Sequence, residues 1–261
     1  MSLTHFFFLH SIKFYRVRLA SLSDGKQFAV KILKVKNDDQ RERFKREIEI
    51  AKILNHDNIV KYYETKEVDE GTIYLLMQHI KGSNLESYMD EYDTGLEEQK
   101  AKKLFLQLIQ AINFIHSQGI YHRDLKLENL MFDQESEKVY LIDFGYCALN
   151  SEKGSSIFND PVGSPLYSCP EKMKNTPYCA QSSDIWSLGI CLFRLLNGFY
   201  PFYPHDTNGI EELSDQVINA DVYINPELSP QANDLLINML HKNPQRRFSV
   251  QQILNHPWFK N

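Results

Sequence analysis

The chain has 261 residues, with 29 basic and 34 acidic side chains and a formal net charge of −5 at pH 7. Hydrophobic residues make up 43% and charged residues 24% of it, which excludes intrinsic disorder, collagen-like repeats and disulfide scaffolds. The mild acidity argues against a nucleic-acid-binding module, which needs a concentrated basic stripe, and no apolar run approaches the roughly 18 residues that span a bilayer.

Four cysteines bear on the cellular compartment and on metal binding. They are Cys147, Cys169, Cys179 and Cys191, and their spacing contains no CxxC pair, which argues against a zinc site. We expect reduced thiols in an intracellular, cytoplasmic protein. The apolar run at residues 6–9 admits a secretory signal as an alternative. It lacks a positively charged segment before it and a small-residue cleavage site after it, so we interpret it as the first strand.

The first 80 residues carry mainly β-type patterns around one helix. Three further stretches rich in β-type residues predict strands at residues 16–19, 28–32 and 73–77. Between the last two, residues 38–54 are highly charged, with Phe44, Ile48 and Ala51 at helical spacing, which predicts an amphipathic helix. We therefore predict that residues 1–80 form a small β-rich lobe.

The remainder of the chain, residues 81–261, is predicted to be mainly helical. Apolar residues recur at helical spacing over residues 101–115, and Gly119 ends a helix of about 20 residues. A second apolar helix is predicted at residues 184–196. Between these helices we predict two short strands and a polar loop, at residues 129–132, 139–142 and 150–168. The predicted fold class is α+β, with two lobes joined by a hinge near residues 78–82.

Two short motifs follow the long helix at a characteristic separation. The sequence HRDLKLEN occupies residues 122–129, and DFG follows at residues 143–145. A DFG tripeptide alone is common by chance, but the two motifs at this distance resemble the catalytic motifs of the eukaryotic protein kinase family. The resemblance implies a bilobal fold and transfer of the γ-phosphoryl group of ATP. The alternative interpretation is an acidic turn that caps a helix.

The resemblance gives roles to four residues of these motifs, and their chemistry suits the roles. Phosphoryl transfer needs positioning and the neutralisation of negative charge. Asn129 and Asp143 offer hard oxygen ligands of the kind that Mg²⁺ prefers. Asp124 would accept the proton of the attacking hydroxyl, and Lys126 would neutralise the transferred group. ATP and Mg²⁺ are therefore the expected cofactors.

A lysine and a glutamate in the N-terminal lobe extend the resemblance. Lys31 lies in the sequence FAVKI, which looks like the family's VAIK strand, although a strand lysine is usually a solvated edge residue. The resemblance pairs it with Glu47 on the charged helix and places it against the ATP phosphates. Glu49 is the competing partner, but it points about 200° away from Glu47 around a helix.

Further matches run almost to the end of the chain. The sequence GSPLYSCPE at residues 163–171 looks like a substrate-docking loop followed by a variant APE motif, and the resemblance implies an ion pair between Glu171 and Arg247. Asp184, in DIWSLG, would brace the catalytic loop. The resemblance also implies an adenine pocket. Met77 would guard its back, backbone groups of Gln78 and Ile80 would face adenine, and Leu9, Val17, Ala29 and Met131 would form its apolar walls.

The glycine-rich loop departs from the family pattern. Residues 9–17 occupy its place, yet the three glycine positions carry His10, Ile12 and Tyr15. Glycine allows the backbone to approach phosphates closely and to adopt positive φ. We expect weakened nucleotide binding, unless the N-terminus is truncated or mis-assigned.

The resemblance also indicates how the protein is regulated. Arg123 precedes the catalytic Asp124, and in the family such an arginine usually needs an anion from the activation segment, residues 143–171. The anion is normally a phosphothreonine, and Asp160 occupies its position. A carboxylate carries one charge where a phosphate carries roughly two, so we expect Asp160 to order the loop only partly. The alternative is a turn aspartate before proline. If Asp160 has no such role, Ser155 and Ser156 are the next candidate regulatory sites.

The function that we predict is ATP- and Mg²⁺-dependent phosphorylation of serine or threonine in protein substrates. The chain looks most like the calcium/calmodulin-dependent and AMP-activated kinase group. Glu128 would favour basic residues upstream of the target, whereas Asn84 replaces a glutamate of related basophilic kinases. No EF-hand or calmodulin-binding pattern is present, so regulators stay unknown. Two alternatives are a pseudokinase scaffold, favoured by the missing glycines, and a small-molecule phosphotransferase.

Overall fold

A five-stranded antiparallel sheet forms the N-terminal part of the computed structural model. The structure describes residues 5–12, 15–150, 156–204 and 209–260, and for residues 5–12 and 15 the backbone alone. The strands follow the order β1-β2-β3-β5-β4 across the sheet. Their bounds are β1 (His5–Ile12), β2 (Tyr15–Ser21), β3 (Gln27–Lys34), β4 (Tyr62–Asp69) and β5 (Thr72–Gln78).

One helix, α1 (Asp38–Ile53), belongs to this part of the chain. Its N-terminus is capped by Asn37, whose side chain accepts a hydrogen bond from the backbone N–H of Gln40 at 2.9 Å. Phe44, Glu47, Ile50 and Ala51 are its buried residues. A carboxylate thus lies on the otherwise apolar buried face of the helix.

The sheet contains one strand that the sequence patterns did not predict. Strand β4 reads YYETKEVD, and most of its side chains are exposed because the strand lies at the edge of the sheet. Charged side chains are usual on such an edge, since they discourage pairing with other chains. The strands at β1, β2, β3 and β5 and the helix α1 are confirmed.

The C-terminal part is built around two long helices, α3 (Glu98–Ser117) and α5 (Ala180–Asn197). Helix α5 runs through the main hydrophobic core, where Trp186 and Phe193 are fully buried. The shorter helices are α2 (Leu85–Met89), α4 (Pro170–Met173), α6 (Gly209–Asn219), α7 (Pro230–Met239) and α8 (Val250–Leu254). Within the described ranges, no helix is long and apolar enough to cross a membrane.

Short strand pairs hold the loops of the C-terminal part. Strands β6 (Ser83–Asn84), β8 (Leu130–Asp133) and β9 (Lys138–Leu141) form one sheet; β7 (Ile120–Tyr121) pairs with β10 (Ala148–Leu149), and β11 (Ile157–Phe158) pairs with β12 (Tyr178–Cys179). The HRD motif lies between β7 and β8.

The polar loop predicted at residues 150–168 is interrupted by β11 and by a 3₁₀ turn, Pro165–Tyr167. Ser155 lies outside the described residues.

The connection between the two parts passes through residues 79–82, after β5. Gly82 has φ +145°, and a Cβ there would lie 2.0 Å from the carbonyl oxygen of Phe132. Glycine is required at this position, because the backbone passes directly against β8. A second link is the backbone of Leu141, which accepts a hydrogen bond from Val60 at 3.0 Å and donates one to Asn58 at 2.8 Å.

Candidate functional site

Helix α5 positions the predicted catalytic loop, residues 122–129, through one buried carboxylate. Asp184 accepts hydrogen bonds from the backbone N–H groups of His122 (2.9 Å) and Arg123 (2.8 Å), as its predicted bracing role requires. A third contact, also 2.9 Å, joins Asp184 to the His116 ring of α3. Burial opposes ionisation of Asp184, but these hydrogen bonds hold its pKa below the usual value. The loop is thereby fixed with Arg123 at φ +67°, a left-handed conformation that is costly for a side chain other than glycine.

Asp124 and Lys126 both contact one hydroxyl group, that of Ser164, and Asn129 contacts Asp124. The amide nitrogen of Asn129 donates to the carbonyl oxygen of Asp124 at 2.9 Å and to its carboxylate at 3.3 Å. Ser164 Oγ donates to Asp124 Oδ1 at 3.0 Å and accepts from Lys126 Nζ at 2.8 Å. The carboxylate of Asp124 therefore accepts a hydrogen bond from an aliphatic hydroxyl beside an ammonium group, the arrangement that a general base acting on a hydroxyl needs.

Lys31 connects the sheet, helix α1 and the DFG motif. Its ammonium nitrogen lies 2.5 Å from Glu47 Oε1 and 2.8 Å from Asp143 Oδ1, and all three side chains are largely buried. Burial lowers the pKa of Lys31, but the carboxylates of Asp143 and Glu47 outweigh this and raise it. Lys31 is therefore charged. Glu49, the competing partner, is exposed.

The charges and donor atoms of this site fit a divalent cation. The ammonium of Lys31 lies between the carboxylates of Glu47 and Asp143, and burial raises the pKa of Glu47. The Asn129 amide nitrogen donates to Asp124, so the amide oxygen is the atom of this side chain that would bind a metal ion. Carboxylate and amide oxygens are ligands that Mg²⁺ accepts. Asp143 has φ +62°, and a strained backbone at such a residue supports a functional role.

One face of the sheet carries three of the predicted adenine contacts. Directly paired residues of neighbouring strands point to the same face, as do residues two apart on one strand. Val17 pairs with Lys31 and Ala29 pairs with Met77, so these four side chains share the face that carries the ammonium. Gln78 lies one position further, and its N–H donates to the carbonyl oxygen of Lys61 at 2.8 Å, so that N–H is not available to a nucleotide.

Three more adenine contacts were predicted. Ile80 is buried in the connection after β5, and Met131 is half-buried on β8, where it pairs with Asn84. The side chain of Leu9 lies outside the described residues. The adenine-binding roles of all these residues stay predictions.

The region of the missing glycines forms a strand hairpin. Strands β1 and β2 pair from His5 with Ser21 to Ile12 with Tyr15, with a shift in register between Phe8 and His10. Residues 13–14 and the side chains at the three glycine positions lie outside the described residues. The predicted effect on nucleotide binding therefore stays a prediction.

Arg123 is held by two residues of the predicted activation segment. Its guanidinium donates to the carboxylate of Asp160 and lies 4.5 Å from the ring centroid of Phe158. Tyr178 donates through its hydroxyl to the carbonyl oxygen of Asp160 at 3.1 Å. The Arg123 side chain is 5% exposed and that of Asp160 is 56% exposed, so Asp160 presents an accessible carboxylate to a buried cation. The structure thus brings the two predicted regulatory residues together.

Two residues at the site were missed by sequence reasoning. Ser164 was read only as part of the docking loop, although its place in the GSP motif was a usable signal. Lys172 follows the variant APE motif, where a lysine on a short helix suggests an exposed side chain. It is buried, and its ammonium donates to the carbonyl oxygens of Val162 (2.9 Å) and Arg123 (3.3 Å). Burial lowers the pKa of Lys172.

The predicted ion pair between the docking segment and the C-terminal region is confirmed. Arg247 Nη2 lies 2.9 Å from Glu171 Oε1, and the guanidinium also donates to the carbonyl oxygens of Ser182 and His241. The Arg247 side chain has no exposed surface and that of Glu171 is 14% exposed. These buried contacts of the Arg247 guanidinium fix helix α4 and the predicted docking loop before it.

Comparison with known proteins gives one family. The model of the protein kinase domain matches residues 13–259. CBL-interacting serine/threonine-protein kinase 26 of Arabidopsis thaliana is 36% identical over 95% of this chain and 56% of its own length. CBL-interacting protein kinase 1 of Oryza sativa subsp. japonica is 35% identical over 92% and 51%, and maternal embryonic leucine zipper kinase of Xenopus laevis is 36% identical over 94% and 37%. The chain spans about half the length, or less, of these curated relatives.

Proposed function

Because the chain belongs to the protein kinase domain family, we propose that it is an ATP- and Mg²⁺-dependent protein serine/threonine kinase. The observation that carries the proposal is the three-way contact of Lys31 with Glu47 and Asp143. It joins three segments that are far apart in the chain into one charged site. A solvated edge lysine would not be buried between two carboxylates.

The residues of this chain would divide the reaction between them. ATP supplies the γ-phosphoryl group, and Mg²⁺ neutralises phosphate charge when it is bound. Asp143 and Asn129 would hold the metal, and Lys31 would bind phosphate oxygens. Asp124 would orient the substrate hydroxyl and accept its proton, while Lys126 would offset the charge that develops on the transferred group.

The similarity to serine/threonine kinases supports the predicted substrate class, protein serine and threonine. We propose residues 1–80 and 81–261 as the N- and C-terminal lobes, with the catalytic loop at 122–129.

Two of the relatives are named for an interaction with CBL, and a partner of that kind is a candidate regulator of this chain. The intracellular location stays a prediction.

The proposal is tested by transfer of radiolabelled phosphate from ATP to a generic basic protein, with Asp143→Asn as the negative control. We expect Mg²⁺-dependent incorporation into serine or threonine by the wild type alone. The second candidate, a pseudokinase scaffold, is favoured by the missing glycines. It would be supported if the wild type incorporated no more phosphate than the control.

The missing glycines predict poor ATP affinity with the chemistry retained, because the charged residues of the site lie elsewhere. Changing His10, Ile12 and Tyr15 together to glycine should lower the KM for ATP several-fold and leave kcat nearly unchanged. Initial rates over a series of ATP concentrations measure both. A KM that stayed the same or rose would show that another segment covers the phosphates, and our alignment of residues 9–17 would be wrong.

The contact between Arg123 and Asp160 predicts activity without phosphorylation by an upstream kinase. Phosphate-free protein should be active, and Asp160→Asn should lower kcat several-fold, since a neutral amide orders the buried guanidinium less well than a carboxylate. Asp160→Thr should make activity depend on an activating kinase. Asn159→Ala, at an exposed neighbouring position, is the matched control. An Asp160→Asn variant as fast as the control would show that Asp160 does not take the place of the phosphothreonine. Ser156 would then become the next candidate regulatory site.

A further inference from the structure

Helix α1 has a second contact with the segment that contains the DFG motif, one turn away from Glu47. The guanidinium carbon of Arg43 lies 4.4 Å from the ring centroid of Tyr146, which is within the range of a cation–π interaction. Residues four apart share one face of a helix, so Arg43 lies on the side of α1 that carries Glu47. Arg43 and Tyr146 are both half-buried, and water therefore screens their contact only in part.

The charged groups of α1 and of the DFG motif converge at Gly145. A Cβ at Gly145 would lie 3.3 Å from Glu47 Oε2 and 3.5 Å from Arg43 Nη2. It would lie 3.1 Å from Asp143 Oδ1. The guanidinium of Arg43 therefore approaches two carboxylates as well as the ring of Tyr146.

The second oxygen of the Glu47 carboxylate shows what the charge of Arg43 does there. Glu47 Oε1 lies 2.5 Å from the ammonium of Lys31. Oε2 is buried and accepts no hydrogen bond within the described part of the chain. Burial raises the pKa of Glu47, while the charges of Lys31 and Arg43 act in the opposite direction. Arg43 thus favours the ionised carboxylate that the ion pair with Lys31 needs.

We propose that the contact between Arg43 and Tyr146 holds helix α1 against the DFG segment, residues 143–146, so that Glu47 stays on Lys31. Arg43 and Tyr146 are then positioning residues, because they act through Glu47 and take no direct part in the chemistry. The effect on phosphoryl transfer rests on the proposed function, whereas the effect on the position of α1 does not.

The proposed reaction explains why α1 needs this second contact. In the structure, Lys31 bridges the two segments, because its ammonium contacts both Glu47 and Asp143. In the proposed reaction, phosphate oxygens compete for Lys31 and Mg²⁺ competes for Asp143. The contact between Arg43 and Tyr146 uses neither of these groups, so it holds α1 in place while nucleotide is bound.

Two simpler interpretations give different expectations. In the first, Arg43 is an ordinary solvated charge on the surface of a helix, but its Nε atom is buried. In the second, Tyr146 provides only apolar surface, so that any apolar side chain of similar volume would serve. A test must therefore remove the charge and the aromatic ring separately.

The test compares four single variants and one double variant. Arg43→Gln removes the charge, and Tyr146→Leu removes the ring but keeps an apolar side chain. Tyr146→Phe keeps the ring and is the conservative variant. Arg46→Gln makes the same substitution at an exposed position of the same helix and is the matched control. The double variant combines Arg43→Gln with Tyr146→Leu.

Hydrogen exchange of the backbone amides in α1, measured by mass spectrometry without nucleotide, reports the position of the helix without relying on transfer. We expect exchange in residues 38–53 to be about three- to tenfold faster in Arg43→Gln and in Tyr146→Leu than in the wild type. Tyr146→Phe and the control should stay within about twofold of the wild type. The double variant should exchange no faster than either single variant, because both substitutions remove one contact.

Initial rates separate positioning from a general loss of folded protein. Arg43→Gln and Tyr146→Leu should lower kcat/KM for ATP by about three- to tenfold and leave KM for the protein acceptor within about twofold. Tyr146→Phe should restore most of the activity that Tyr146→Leu loses. Thermal unfolding of each variant checks that it is folded.

Exchange in Arg43→Gln no faster than in the control would overturn the proposal, as would additive effects in the double variant. Equal exchange in Tyr146→Phe and Tyr146→Leu would also overturn it, because only the first keeps the ring. Fast exchange together with normal transfer would show that Glu47 stays on Lys31 without this contact, which is a third contradiction. If the exchange results are as expected but the wild type transfers no phosphate, the kinase proposal fails and the role of the contact in holding α1 stands.

Discussion

Replacing Asp143 by asparagine is expected to abolish phosphoryl transfer and to weaken Mg²⁺-dependent nucleotide binding. The change removes a carboxylate that lies 2.8 Å from the buried ammonium of Lys31 and that we propose as a metal ligand. Weaker binding of Mg²⁺ would remove several kcal/mol of charge stabilisation from the transition state, so activity should fall by about 10³-fold or more. Radiolabelled transfer and calorimetric titration of ATP with and without Mg²⁺ measure the two effects.

The companion variant, Asp124→Asn, separates the base from the metal site. Transfer should fall by about 10²- to 10⁴-fold, the usual contribution of general acid–base catalysis, while ATP affinity stays close to that of the wild type. Asp124 contacts Ser164, Lys126 and Asn129, and no contact joins it to Lys31 among the hydrogen bonds described. Equal loss of nucleotide affinity in both variants would contradict the separate roles.

Replacing Arg247 by alanine is expected to lower the free energy of unfolding by about 3–5 kcal/mol. The substitution leaves the Glu171 carboxylate without its guanidinium partner in a largely buried position, and an uncompensated buried charge is costly. It also removes hydrogen bonds to the carbonyl oxygens of Ser182 and His241. Denaturant unfolding followed by circular dichroism gives the free energy.

The neighbouring arginine provides the control for this experiment. Arg246 is exposed, so Arg246→Ala should change stability by less than about 0.5 kcal/mol. The double variant Glu171→Met with Arg247→Met should recover part of the loss, because no unpaired charge stays buried. Equal stabilities for Arg246→Ala and Arg247→Ala would show that the ion pair contributes nothing.

The secondary structure was predictable where side-chain periodicity reflects burial on one face. Helices α1 and α3 were found close to their observed bounds, since a charged or polar face opposes an apolar one in each. Strand β4 was not predicted, because an edge strand needs no apolar face and its sequence is mostly charged. Strand β11 is two residues long within a polar segment, and its pairing with β12 depends on tertiary structure.

The candidate site was predictable where a motif gives both residue type and spacing. Lys31, Glu47 and Asp143 were found in this way, although their contact depends on the fold. Lys172 was not predictable, because its burial comes from two carbonyl groups that belong to distant segments. Sequence patterns record side chains, whereas these contacts depend on where the backbone of another segment passes.

The contacts of Leu141 and Asp143 with the N-terminal part bear on how the chain folds during synthesis. The backbone of Leu141 bonds to Asn58 and Val60, and Asp143 supplies one of the two carboxylates beside Lys31. A nascent chain folds progressively from its N-terminus as residues leave the ribosome. The five-stranded sheet and α1 can pair early, but the contact of Lys31 with Asp143 cannot form until residues 141–143 emerge. The ribosome must therefore have added more than half of the chain before Lys31 gains its contact with Asp143.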